Sequence, residues 1–243
     1  IGFSYLDWFG AYQMSTAMMG ALYRQNRTGL GCWIDSSQTE TGIYLSGTAI
    51  LDHSVNGRSW QRTGNRSPYT SAAPSGAFRA SGVDRWIALS VSTDEQWRST
   101  CAVLGCPEWA TDARFRTVAA RKANEALAEA AVAVEIARWE AFELMHRLQK
   151  VGVAAGVCQT AEDRVEFDPQ LAHLGWLVEL EHSEMGRWPV KEVPVQFSET
   201  PPYIGGRLDR HGPVYGEDNE YVLGEILGYS RAEIDLLTSS GVI

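Results

Sequence analysis

The sequence predicts an α/β chain whose middle portion is α+β. Three observations carry this. Apolar and small residues recur at helical spacing from Gly10 to Arg24. A glycine turn and the apolar run Gly31–Asp35 follow, and a second helical stretch runs from about Ser37 to Leu51. Helix, glycine turn, strand and helix in that order mark an α/β layer. Further along, helices and short strands follow one another without strict alternation, which fits α+β better than a wound parallel sheet. At 243 residues, 44% of them hydrophobic, the chain is long enough for one large or two modest domains with a real core.

The elements divide into three blocks. In the first, residues 1–57, Met14, Ala17, Met18, Ala21 and Leu22 form one helical face, and Arg24, Arg27 and Gly29 supply basic last-turn residues and a left-handed stop. The second, 58–195, opens with the Arg-, Gly-, Ser- and Pro-rich loop Gly57–Gly76. Arg85–Val91 then alternates as a strand, and Thr93 caps a helix to Leu104. Ala123–Trp139 is an Ala/Glu-rich helix and Ala141–Lys150 another, and Val151–Val157, Gly175–Glu181 and Val193–Phe197 read as strands. The third, 196–243, holds the Pro/Gly-rich crossing Pro201–Gly216 and two short helices. The last helix starts at Ser230-Arg231-Ala232-Glu233, a capping box, and Gly241 stops it.

Charge removes several function classes. With 21 basic against 30 acidic residues the net charge is −9, without a Lys/Arg block, so neither nucleic acid nor an anionic membrane is an expected partner. The richest apolar runs, such as Met14–Leu22 and Ala126–Ile136, are too short and too interrupted to span a bilayer. Cys32, Cys101, Cys106 and Cys158 form no CxxC pair, and no histidine stands at zinc-ligand spacing from them. They read as small buried thiols in a reducing, cytoplasmic setting, with no metal expected. The histidines at 53, 146, 173, 182 and 211 make no HxxxH or HxH pair, and neither a GxSxG elbow nor a P-loop is present. Because a strong helix pattern begins within ten residues of Ile1, the chain is expected to be the C-terminal portion of something longer.

Carboxylates remain as candidates for chemistry. Asp7, in Tyr5-Leu6-Asp7-Trp8-Phe9-Gly10, stands just before the first predicted helix. An aspartate there serves as an N-cap, accepting hydrogen bonds from free N–H groups. It serves equally as a nucleophile, because the positive end of the helix dipole favours negative charge and the carboxylate can attack an acyl carbon. Gly10 would leave room for a bulky reactant. Trp8, Phe9 and Tyr12 read as core or lid aromatics.

At this point the residues resemble a family. Asp7-Trp8-Phe9-Gly10, the helix end Ala21-Leu22-Tyr23-Arg24, the turn Arg27-Thr28-Gly29-Leu30-Gly31 and Ile34-Asp35-Ser36-Ser37 are similar to the class III (CaiB/BaiF-type) CoA-transferases, with Glu40 where an acidic residue is expected. The likeness continues through Pro74-Ser75-Gly76-Ala77-Phe78, Asp84-Arg85-Trp86-Ile87-Ala88, Asp94-Glu95-Gln96-Trp97, Gly152-Val153-Ala154-Ala155-Gly156, Asp168-Pro169-Gln170-Leu171 and Leu227-Gly228-Tyr229-Ser230. Each motif is modest, but their order and spacing span nearly the whole chain.

The resemblance implies an interlocked dimer of chains, each with a Rossmann-like large domain and a smaller α+β domain. Residues 1–57 would end the large domain with the nucleophile helix, 58–195 would be the small domain with linkers, and 196–243 would return to the large domain. It also implies CoA transfer from an acyl-CoA to a carboxylic acid through an aspartyl-CoA thioester on Asp7, with no permanently bound cofactor. Gln38, Gly76 and Trp8 would stand near the substrate. Gln38 also reads simply as a polar helix-start residue, and only Pro74-Ser75-Gly76 stands where relatives often carry a glycine run. The bulky Trp8, where many relatives have something smaller, would shape an acyl pocket or fill it. The N-terminal half, which supplies most of the CoA surface in the family, is expected as a partner, and the chain is expected to be inactive alone. Homodimer and heterodimer both remain open. So do two other functions: proton transfer as in the α-methylacyl-CoA racemases, which carry Asn-Tyr near the aspartate, and a non-catalytic subunit of a hetero-oligomeric transferase.

Overall fold

In the computed structural model, which describes residues 4–67 and 69–243, the first helix is longer than the periodicity suggests. Helix α1 runs from Tyr5 to Thr28, so Asp7 lies in its first turn and Ser4, not Asp7, holds the N-cap position. The extension has a local cause: Tyr5–Phe9 contains no Pro or Gly, and an acidic first-turn residue suits the helix dipole. At the other end Gly29 adopts φ 72° and donates its N–H to the Gln25 carbonyl at 2.7 Å, as the sequence predicts. Residues 1–3 of the predicted first block and Pro68 of the predicted loop lie outside the described residues.

The expected strand at Gly31–Asp35 is not formed; residues 30–37 are irregular. A strand needs a neighbour to satisfy its backbone. Here the Arg24 guanidinium donates instead to the carbonyls of Leu30 and Gly31, at 3.1 and 3.3 Å. The single helix expected from Ser37 to Leu51 is two helices, α2 (Gln38–Leu45) and α3 (Gly47–Asn56), divided at Ser46. Ser37 caps α2 by accepting the Glu40 N–H at 3.3 Å. These elements belong to one compact unit, residues 1–70; residues 71–243 form the other.

The second unit holds the core. Strands β1 (Ser75–Arg79), β2 (Trp86–Ser90) and β3 (Ala154–Val157) form an antiparallel sheet with β2 in the middle, Phe78 opposite Ile87 and Ile87 opposite Val157. Helices α4 (Asp94–Leu104), α5 (Val118–Ala123), α6 (Glu125–Ile136) and α7 (Ala141–Lys150) accompany it. Ile87 and Leu89 pack with Trp97, Cys101 and Leu104 of α4, Val132 and Ile136 of α6, and Leu144 and Leu148 of α7. Strand β1 falls at the end of the predicted loop. It is an edge strand, the place in a sheet where a neighbouring Pro and an internal Gly do least harm.

Helix α5, which the sequence reading passes over, delivers a wholly buried arginine. The Arg121 guanidinium donates to the carbonyls of Ala73 (2.7 Å), Phe115 (2.9 Å) and Thr93 (3.1 Å) and lies 5.2 Å from the Trp97 ring centre. Burial lowers its pKa, opposed by the Asp94 carboxylate at 3.2 Å. Three peptide carbonyls from separate segments are thus satisfied by one side chain.

Beyond β3, a π-helical turn (Asp163–Phe167) precedes helix α8 (Pro169–His173), capped by Asp168. Strands β4 (Leu177–His182) and β5 (Gly186–Lys191) form an antiparallel hairpin. The strand expected at Val193–Phe197 is displaced upstream into β5. Leu177 pairs with Lys191, so later residues run past the end of β4 and have no ladder to join. The last helix, α9 (Arg231–Ser239), carries the predicted capping box: Ser230 Oγ accepts the Glu233 N–H, and a Glu233 carboxylate oxygen accepts the Ser230 N–H at 2.7 Å. Among the described residues, no helix is long and apolar enough to cross a membrane.

Candidate active site

The first unit is organised around a helix crossing, and Asp7 stands beside it. The Gln38 side chain, at the start of α2, reaches back to α1 and donates its Nε2–H to Asp7 Oδ1 at 3.0 Å. Gly10, one turn after Asp7, makes that possible. A Cβ on Gly10 would stand 2.9 Å from Gln38 Cγ, closer than side chains pack. The space expected to admit a bulky reactant is therefore occupied by Gln38. The arrangement is reciprocal, because a Cβ on Gly42 of α2 would meet the Leu6 methyls of α1 at 3.1 and 3.3 Å.

A second polar tie fixes the crossing. The hydroxyl of buried Thr41 donates to Gln13 Oε1, with the Ser37 carbonyl 3.1 Å away as its other acceptor. Leu6, Gly10 and Gln13 on α1 thus face Gln38, Thr41 and Gly42 on α2. Spacings of four and seven from Leu6 on α1, and of three and four from Gln38 on α2, put each set on one helix face. Sequence reasoning misses Gln13, Thr41 and Gly42. A signal for them exists, since a glycine at contact spacing on each of two neighbouring helices marks close backbone approach.

The electrostatics are those of an accessible carboxylate near a helix start. Asp7 is exposed and sits at the positive end of a 24-residue helix. Trp8, the next residue, is more than half exposed, and Tyr5 and Phe9 stack with ring centres 4.9 Å apart. An open apolar groove of about 750 Å³, lined by Tyr5, Leu6, Phe9, Ile43 and Ile50 among others, runs beside the crossing; Asp7 is not among its lining residues. Glu40 is exposed, and its backbone N–H is spent on the Ser37 cap. Gly76 belongs to the second unit, in β1 opposite Leu89.

Other candidate groups resolve differently. Cys101 is buried and Cys106 half-buried, but Cys32 and Cys158 are exposed, so the expectation of four buried thiols holds for only part of the set. His182 and His211, distant in sequence, stand edge to face with ring centres 5.2 Å apart. Both use Nδ1 to accept backbone N–H groups, His182 from Glu184 and Met185 and His211 from Gly212. No cluster of three or more His, Cys, Asp or Glu suited to a metal ion occurs among the described residues.

Comparison with known proteins adds the family context. The model of CoA-transferase family III matches residues 1–219. The succinyl-CoA–D-citramalate CoA-transferase of Chloroflexus aurantiacus is 26% identical over the whole of this chain, which spans 58% of that relative. The acetyl-CoA:oxalate CoA-transferase of Acetobacter aceti is 30% identical over 78% of this chain and 48% of its own length. Among solved structures, a CaiB/BaiF family protein from Brucella suis superposes with a TM-score of 0.80 at 28% identity, covering 93% of this chain and 56% of that one. The chain therefore spans about half the length of these relatives, and the predicted fold class is the one it has.

Proposed function

The chain belongs to CoA-transferase family III, and from that membership we propose that it carries the nucleophile of a CoA transfer from an acyl-CoA to a carboxylic acid, with Asp7 forming an aspartyl-CoA thioester. The observation that supports this reading is the Gln38 amide donating to one oxygen of Asp7 while the carboxylate stands exposed at a helix start.

The chemistry follows from that pairing. One Asp7 oxygen attacks the thioester carbonyl of the acyl-CoA, forming a mixed anhydride and releasing CoA thiolate. The thiolate then attacks the Asp7 acyl carbon and expels the donor carboxylate, leaving CoA on Asp7. The acceptor carboxylate attacks that thioester, and the released thiolate returns to the acceptor's acyl carbon, restoring free Asp7. Whenever the Asp7 acyl carbon is tetrahedral, the oxygen facing Gln38 bears the negative charge. A positioned amide donor 3.0 Å away then does most for the reaction. Water must be excluded throughout, because the anhydride and the thioester both hydrolyse.

The reading includes Trp8 and Gly76 as substrate contacts, an N-terminal half that completes the CoA surface, and an interlocked homodimer or heterodimer in the cytoplasm. The order of residues 1–57, 58–195 and 196–243 supports a large-domain end, a small domain and a return segment. The test is intact-mass spectrometry of the complete protein after incubation with acyl-CoAs. The panel starts from the donors and acceptors the two relatives are named for: succinyl-CoA, acetyl-CoA, citramalate and oxalate. The expected result is a hydroxylamine-sensitive CoA adduct that maps to Asp7 and is absent in Asp7→Asn. Deuterium uptake at the acyl α-carbon without an adduct would replace transfer by racemisation. Full turnover in Asp7→Asn would place the nucleophile on another chain.

A further inference from the structure

The C-terminal end of α4 brings together two cysteines that the chemistry above does not use. Its last turn closes with two bonds, Cys106 N–H to the Cys101 carbonyl at 2.9 Å and Gly105 N–H to the Ala102 carbonyl at 3.3 Å, around Gly105 at φ 80°. This paired closure sets the residue after the glycine against the residue four before it, and their side chains ordinarily make contact. Those residues are Cys106 and Cys101. The 2.9 Å bond and ordinary backbone dimensions cap their Cα separation at about 6.8 Å, the outer limit of what a disulfide spans. The Cys106 thiol is turned back over the helix end, with Sγ 3.9 Å from the Leu104 carbonyl. Cys101 is fully buried and Cys106 partly exposed, which gives the pair one entrance.

We propose that Cys101 and Cys106 are a redox pair that closes into an intramolecular disulfide across the end of α4. The entering reagent is a small disulfide such as oxidised glutathione. The Cys106 thiolate attacks one of its sulfurs, forming a mixed disulfide and releasing one glutathione thiol. Cys101 then gives up its proton and attacks Cys106 Sγ, releasing the second. The two protein thiols lose two electrons and two protons, and the two glutathione thiols carry them away. Burial pushes the Cys101 thiol up to about 12 and raises Cys106 as well, so closure is slow at neutral pH and quickens as the thiolate fraction grows.

The tryptic peptide Ser99–Arg114 carries both cysteines and no other, which makes the test direct. The complete chain is incubated with oxidised glutathione at neutral pH and at higher pH, then alkylated, digested and weighed. The expected product is that peptide unalkylated and lighter by about 2 Da than its reduced form. It should form about tenfold faster per pH unit below the Cys106 pKa and be reversed by dithiothreitol. Cys101→Ser should stop at a glutathione adduct on Cys106. If the unaltered chain itself stops at that adduct, or reacts only at Cys32 and Cys158, the pair does not close and the proposal falls. The measurement on the unaltered chain decides even if the variant fails to fold.

Discussion

Gly10 and Gln38, at the scale of single residues, are each intelligible only through the other. A glycine inside a helix costs about 1 kcal/mol relative to alanine. That cost is offset here by the space it opens for the Gln38 stem, which would otherwise overlap a Cβ at 2.9 Å. Gln38→Leu keeps the bulk and removes the donor. Since loss of one positioned donor to a developing oxyanion costs roughly 10²–10³ in kcat, a fall of about that size is expected in the complete protein. The melting temperature should barely move, because the buried core lies in residues 71–243 and does not include Gln38. Gly10→Ala should lower activity through the same route by displacing Gln38, so the two losses should not add when combined. Steady-state kinetics and thermal melts of the two single variants and the double variant measure this. Additive losses would mean that Gly10 acts on something other than Gln38.

At the scale of elements, the second unit is tied together by side chains that join segments distant in sequence. Arg85, at the entrance to β2, donates to Asp163 of the π-helical turn at 2.5 Å, and Asp163 also accepts the Thr160 N–H at 2.9 Å. The Arg85 bond, followed by the Thr160 N–H, holds the Asp163 carboxyl below the ordinary carboxylate value. A carboxyl depressed on folding adds stability that is fully present above its unfolded value, near 4, and is lost as pH falls through the folded value. Asp163→Asn should therefore lower the melting temperature at neutral pH, and the gap between the two proteins should close progressively below about pH 4. A gap that stays constant down to pH 2.5 would show that Asp163 contributes by packing alone. Such ties explain what the chain reveals by its sequence and what it does not. Capping and helix periodicity are local, so α4, α7 and the Ser230–Glu233 box are legible in the order of residues alone. Strand identity is not local. Among the described residues, Gly31–Asp35 and Val193–Phe197 have the right composition but no partner ladder, whereas β1 has a poor composition and a good neighbour in β2. The site divides the same way. Asp7 and Gln38 are visible as residues, but their contact depends on a helix crossing that only packing reveals.

At the scale of the whole molecule, the two units differ in what holds them. Residues 71–243 bury Trp97, Ile87, Val132, Ile136, Leu144 and Leu148 completely, each removal of such a side chain from water contributing about 1.5–3 kcal/mol. In the described part of residues 1–70 the buried residues are Gly10 and Thr41, while Trp33, Tyr44 and Val55 are 91%, 85% and 76% exposed. Ordering each residue's backbone costs about 1–2 kcal/mol, and two polar ties at a helix crossing do not offset that over such a segment. An apolar surface of this extent marks a face for packing against further protein, and the proposed aspartyl-CoA thioester would need such cover to be kept from water. Produced separately, residues 71–243 should therefore melt in one cooperative transition, and residues 1–70 should show weak helical circular dichroism with no transition. A cooperative melt of 1–70 alone would mean that the α1–α2 crossing is itself sufficient, and the need for a covering protein would lapse.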